Sequence, residues 1–318
     1  MFIFKRFSSA FLLIFASASF MLQAQTPFVS KKKIEQDKIV NVSIPKSGTH
    51  LLLKCISLFG IKKFSHNYEN TPKPRPEHLK KIREINKNLP PNHYKGNLYI
   101  PVEGPLPKSI MPQLTSNTSR KLFFTHWPYT KEFDQVLQKN TFANFITIRD
   151  PRDMVVSFAF MVYKSREGKT ADVSKIILDL ITGNQQYYVP WAVEIHEAYP
   201  VLWEKGLYRF YEMYKPWINT KKFMLVKFEN LIGPKGGGSY EQQLKTIMKI
   251  SQHLGIPLSL QKIQTVIADL FGGTWTFREG QIGGWKKYFT PEIKKAFKQD
   301  PRLIQLLIDL GYENGSNW

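Results

Sequence analysis

A β-branched run, Lys38 to Ile44 (KIVNVSI), stops at Pro45-Lys46-Ser47-Gly48, and THLLLKCISLFG follows at once with apolar residues at helical density up to Gly60. A strand that turns within four residues into an amphipathic helix commits the chain to an α/β architecture. Gly60 is a plausible helix stop. Three more buried-strand candidates follow: KLFFTH (Lys121 to His126), FANFITIR (Phe142 to Arg149) and KKFMLVKF (Lys221 to Phe228). Helical patterns lie between and after them, at Met154 to Arg166, through much of 173–214, at 240–254, at 259–270 and from Pro291 to Leu310. Strands alternating with helices predict a three-layer α/β/α domain: a central parallel sheet covered on both faces, with a P-loop-like turn after the first strand. No internal repeat is present.

The flanks are of other kinds. Lys5 and Arg6 precede an uncharged run from Phe7 to Val29, the arrangement of a signal peptide over residues 1–24, with small-residue sites at Ala16-Ser17-Ala18 and at Ala24. An uncleaved signal anchor is the competing reading, since the run approaches the roughly 20 residues that span a bilayer. A plain buried segment is the third. The expected location is therefore exported, with membrane-anchored or cytoplasmic as alternatives. Residues 25–37 read as a polar lead-in and 38–318 as the main domain. Within it, 61–120 is a Pro-, Asn-, Lys- and Arg-rich excursion expected to cover or shape a site.

The 318 residues carry 45 Lys+Arg against 25 Asp+Glu, a net charge of +20, so the surface attracts anions: nucleic acid, acidic glycan, anionic lipid or phosphorylated small molecules. Most of that excess reads as solvated surface. A single cysteine, Cys55, excludes an intramolecular disulfide and a cysteine-rich metal site.

Three segments carry chemistry. In Pro45-Lys46-Ser47-Gly48-Thr49-His50 a glycine turn presents backbone N–H groups at a helix N-terminus, where the dipole favours an anion; Lys46 adds charge, and Ser47 and Thr49 add hydroxyls. It is not a Walker A motif, because the glycine spacing is absent. In Ile148-Arg149-Asp150-Pro151-Arg152-Asp153, Arg149 stands at a strand's C-terminal end with a fork suited to phosphate, and Ser157 follows about two turns into the helix. The third, Arg278-Glu279-Gly280-Gln281-Ile282-Gly283-Gly284-Trp285-Lys286-Lys287, combines glycines with basic residues in the manner of a loop that closes on an anion. Each has a plainer reading alone: a helix cap with a surface lysine, a helix-capping Arg–Asp cluster, and a flexible loop.

Together IPKSGTH, IRDPRDMVVSF and REGQIGGWKKYFT resemble, in order and spacing, the three signatures of the sulfotransferases that use 3′-phosphoadenosine 5′-phosphosulfate (PAPS), over residues 38 to about 310. The resemblance implies transfer of a sulfuryl group from PAPS to a hydroxyl or amine acceptor. Lys46, Ser47, Gly48 and Thr49 would hold the 5′-phosphosulfate, with Lys46 on the leaving oxygen, and His50 is counted with them as cofactor-binding. Arg149, Ser157, Arg278 and Gly280 would hold the 3′-phosphate. Phe228, in KFENL, stands where the family has a tyrosine that meets adenine. Phe124-Thr125-His126-Trp127-Pro128 resembles the family's Lys-Thr-His-Leu-Pro, which makes His126 the catalytic base. No metal is implied, and no specific nucleic acid; the partner is a small-molecule or glycan acceptor bearing a hydroxyl. A membrane is a partner only if the N-terminal segment stays as an anchor.

The pattern has departures. Leu51 stands where the adenine-stacking aromatic is usual, Glu279 replaces a lysine beside the 3′-phosphate site, Gly284 replaces the aspartate of Gly-Asp-Trp-Lys, and Phe124 replaces a lysine. Two alternatives stay open: another nucleotide-dependent transferase on the same scaffold, or a weakened member of the fold that binds acidic polymers. Aromatics between Tyr187 and Trp217, together with 61–120, are expected to line the acceptor pocket, although a buried core explains them equally well.

Overall fold

The structure is a computed structural model and describes residues 38–61, 121–165, 172–183, 206–274 and 277–318, all within one compact unit, Glu35–Trp318. Four strands, β1 (Lys38–Ser43), β2 (Lys121–Thr125), β3 (Ala143–Ile148) and β4 (Phe223–Lys227), pair in parallel in the order β2-β1-β3-β4. Val40 lies opposite Phe123 on one side and Asn144 on the other. Every residue of β1 and β3 is buried.

Side chains alternate across the sheet with period two. Val40, Val42, Ile44, Ile146 and Ile148 face one core, which is closed by α2 (Lys131–Asn140), α3 (Pro151–Ser165), α4 (Val173–Thr182), α5 (Gly206–Glu212) and α6 (Lys215–Asn219), and by the C-terminal helices α10 (Pro291–Gln299) and α11 (Pro301–Asp309). Ile39, Ala143 and Phe145 face the other, closed by α1 (Thr49–Leu58), α7 (Phe228–Ile232), α8 (Tyr240–His253) and α9 (Leu260–Leu270). The expected three layers and all four strands are present.

The strand order places a switch point at the C-terminal ends of β1 and β3, where open parallel sheets bind ligands. The segments after those two strands are the first two singled out by sequence.

Three details differ from expectation. Helix α2 had no sequence signal beyond Phe133, Val136 and Leu137; Thr130 caps it by accepting from Phe133 N at 3.1 Å. β4 ends at Lys227, and Phe228 opens a short helix. The C-terminal helical stretch divides at Asp300, which caps α11 by accepting from Arg302 N at 3.0 Å, since Pro301 cannot donate within a continuous helix. The 1–24 and 25–37 segments, the excursion beyond Ile61, and residues 187–205 of the aromatic stretch lie outside the described residues. Among the described residues no helix is long and apolar enough to cross a membrane.

Candidate active site

The turn after β1 is held by Ser47 N donating to Ile44 O at 3.1 Å. Lys46 has φ 66°, the one positive φ outside glycine among the described residues. Such a conformation costs a non-glycine residue about 1–2 kcal/mol and persists where its surroundings fix it. Gly48 has φ 97°, and a Cβ there would stand 2.9 Å from Phe228 Cδ2, so only glycine fits. Thr49 Oγ1 and Ser43 Oγ lie 2.6 Å apart and tie the turn to its strand. Ser47 is buried; its hydroxyl lies beside that of Tyr211 without completing a well-formed hydrogen bond. Helices α2, α4, α8, α9, α10 and α11 each begin with a Ser, Thr or Asp side-chain cap. At α1 the cap position is Gly48, and no side chain caps it. A helix start with no side chain over it suits an anion.

His126 follows β2 and is half-buried. Its Nδ1 lies 2.6 Å from Ser43 O. A carbonyl only accepts, so Nδ1 carries the proton and the basic lone pair is on Nε2. Burial lowers the imidazole pKa to about 4; the bond to Ser43 O opposes the shift, and the Lys46 charge adds to it. His126 is therefore neutral at pH 7. Tyr214 OH donates to His126 O from behind. The Phe124 ring meets His50 edge-on at 5.6 Å and His126 at 5.7 Å, so His50, His126 and Lys46 gather at the ends of β1 and β2.

Arg149 leaves β3 with its guanidinium 4.2 Å from the Phe228 ring centroid, so Gly48, Phe228 and Arg149 stack in sequence. Phe228 is itself buried. Arg149 Nη2 donates to Gln281 O at 2.7 Å, which joins the second and third segments, while its Nε is buried without a hydrogen-bond partner. Asp153, one turn along, accepts from Gly283 N at 2.8 Å and Trp285 N at 2.7 Å. Arg278 lies over the Phe160 ring at 4.2 Å, one turn beyond half-buried Ser157; its Nη1 donates to Glu279 Oε1 at 2.7 Å, and its Nε is also buried and unpartnered. Gly280 has φ 63°, and a Cβ there would meet Phe277 at 2.5 Å.

Several groups that organise this site carry no sequence signal of their role. Asp153 lies in the second segment, but nothing in the sequence pairs it with an amide 130 residues away. Tyr211 OH donates to Arg149 O at 2.9 Å. Glu229 accepts from Asp150 N at 2.8 Å and from Tyr312 OH at 3.1 Å. Burial raises the Glu229 pKa to about 6; Asp150 N and Arg149 oppose the shift, and the Asp150 charge adds to it. In the unfolded chain the value returns near 4.5, so the folded state holds the extra proton between those limits and stability falls as pH rises through that window. Glu229→Gln keeps the shape and removes the titration. Relative to the wild type it is expected to gain about 2 kcal/mol between pH 4 and pH 8, read by urea unfolding at both. A pH-independent difference would refute the assignment.

The family model described as a sulfotransferase domain matches residues 36–271. Among curated proteins none matches the chain. Among solved structures the chain is similar to the crystal structure of mouse sulfotransferase SULT7A1 complexed with PAP, with a TM-score of 0.53 and 16% identity over 87% of this chain and 89% of that one. At that identity the likeness carries the fold alone. The family match takes in the turn after β1, His126 and Arg149 but ends before Arg278, so geometry alone attaches the third segment. On a match that spans most of its length, the chain belongs to the family of sulfotransferase domains.

Proposed function

We propose that the chain transfers the sulfuryl group of PAPS to a hydroxyl (or amine) acceptor, a small molecule or a glycan. The observation that carries this reading is the pair of buried arginine donors, Arg149 Nε and Arg278 Nε, without partners on two loops that Arg149 Nη2 and Asp153 tie together. Buried donors are rarely left unpaired, and a phosphate presents oxygens that satisfy a guanidinium. The uncapped N-terminus of α1 with Lys46 and Ser47 supplies a second anion position, suited to the phosphosulfate. The PAP bound in the mouse relative supports the same donor.

In this reading His126 Nε2 takes the acceptor's proton as its oxygen bonds to sulfur, and Lys46 neutralises the bridging oxygen as the sulfur–oxygen bond to the 5′-phosphate breaks. PAP is the product. In-line transfer of this kind is governed by positioning and charge stabilisation, which these groups provide. The N-terminal run supports delivery through an export signal or anchor.

The test is calorimetric titration of 3′-phosphoadenosine 5′-phosphate (PAP) and ATP into the protein and its Arg149→Ala variant. PAP should bind more tightly than ATP, and the variant should lose about 10- to 100-fold, the loss expected for charge-assisted hydrogen bonds. Absence of PAP binding at low salt would remove the enzyme reading and leave the basic surface as the feature to explain.

A further inference from the structure

We infer that Glu279 determines how strongly the site selects for a 3′-phosphate, because its carboxylate occupies the guanidinium of Arg278 as an internal substitute for that phosphate. The inference rests on the donor proposed above.

Arg278 Nη1 donates to Glu279 Oε1 at 2.7 Å, and the Tyr288 hydroxyl lies 3.4 Å from both groups. One guanidinium face is covered by the Phe160 ring at 4.2 Å, and the N–H donors point an anion to the guanidinium plane. An anion that takes Nη1 must displace Glu279, and one that binds at Nε or Nη2 has a like charge beside it. Glu279 opposes it both ways.

Two carboxylates thus face two arginines, and they differ in kind. Asp153 has a side chain only 2% exposed, accepts two backbone amides and is fixed by them. Glu279 has a side chain 34% exposed, and its carboxylate meets Arg278 and the Tyr288 hydroxyl. A phosphate can displace Glu279 toward solvent and cannot displace Asp153. Glu279 therefore sets the penalty that only a ligand with a 3′-phosphate encounters.

The test compares PAP with adenosine 5′-monophosphate, which lacks the 3′-phosphate, by calorimetric titration into the wild type, Glu279→Gln and Glu279→Ala. Both variants should bind PAP about five- to tenfold more tightly, with the monophosphate unchanged within about twofold. PAP affinity that is unchanged or weaker in both variants, while the wild type binds PAP, overturns this inference alone. An equal gain for both nucleotides also overturns it, because the effect is then general electrostatics. PAP binding to none of the three proteins overturns both this inference and the donor reading.

Discussion

Replacing His126 by alanine is expected to lower kcat about 10²- to 10⁴-fold, the usual contribution of a positioned general base. PAP affinity should change little, because His126 bonds to Ser43 and faces Lys46 rather than the arginine loops. The pH profile separates a base from a structural histidine. With its pKa lowered to about 4, the free protein keeps His126 neutral above about pH 5, so the acid limb of kcat/KM should fall near pH 4 rather than near 6.5. The limb of kcat itself should lie higher, since a bound phosphosulfate favours the imidazolium. His126→Ala should lose the limb together with the rate. A variant that retains a tenth of wild-type kcat, or keeps the acid limb, would assign the proton transfer to another group. Stability shares the sign: the unfolded imidazole binds a proton near pH 6.5 that the folded one refuses until about 4, so the wild type loses stability as pH falls through that window.

The sequence revealed the frame of this protein where local chemistry decides structure. β1 and β3 are buried along their whole length, so their apolar, β-branched composition is visible without knowing their neighbours. Helices α8 and α9 begin where Ser239 and Ser259 can cap them, which is why expectation and structure agree there. α2 escaped because Phe133 and Leu137 are its only buried residues and its remaining face is polar. In the site, Lys46, Gly48, Arg149 and Arg278 were legible as residue types suited to anions. Their coupling was not. The bonds from Asp153 to Gly283 and Trp285, from Asp150 to Glu229, and from Arg152 to Glu313 join positions between 79 and 161 residues apart. The sign of the Glu279 substitution was legible as a loss of charge, but its ion pair with Arg278 required the fold.

Arg152→Met is expected to destabilise the protein by about 3–5 kcal/mol, the range for breaking a buried ion pair on one side. Arg152 is 2% exposed. It binds both oxygens of Asp150, at 3.0 Å from Nε and 2.7 Å from Nη2, and Nη1 lies 2.6 Å from Glu313 Oε1. The rings of Trp285 and Trp318 enclose its Cζ at 4.2 and 4.5 Å. Methionine fills much of that slot, so the loss isolates charge rather than volume. Asp150 would then be buried with no counter-ion of its own, beside Glu229, whose pKa is already raised. Asp150→Asn in the same chain should recover part of the loss, because it removes the stranded charge. Glu313→Gln should cost less, as that side chain is 24% exposed. The functional consequence follows from position. Asp150 succeeds Arg149, and the bond from Asp150 N to Glu229 fixes the backbone there. PAP affinity should therefore fall in Arg152→Met even at temperatures where it is fully folded, and recover with stability in the double variant. Chemical unfolding read beside calorimetric titration tests both parts. A loss below about 1 kcal/mol would mean that Asp150 finds water or a proton in place of Arg152, and that the network under Arg149 is not fixed by this ion pair.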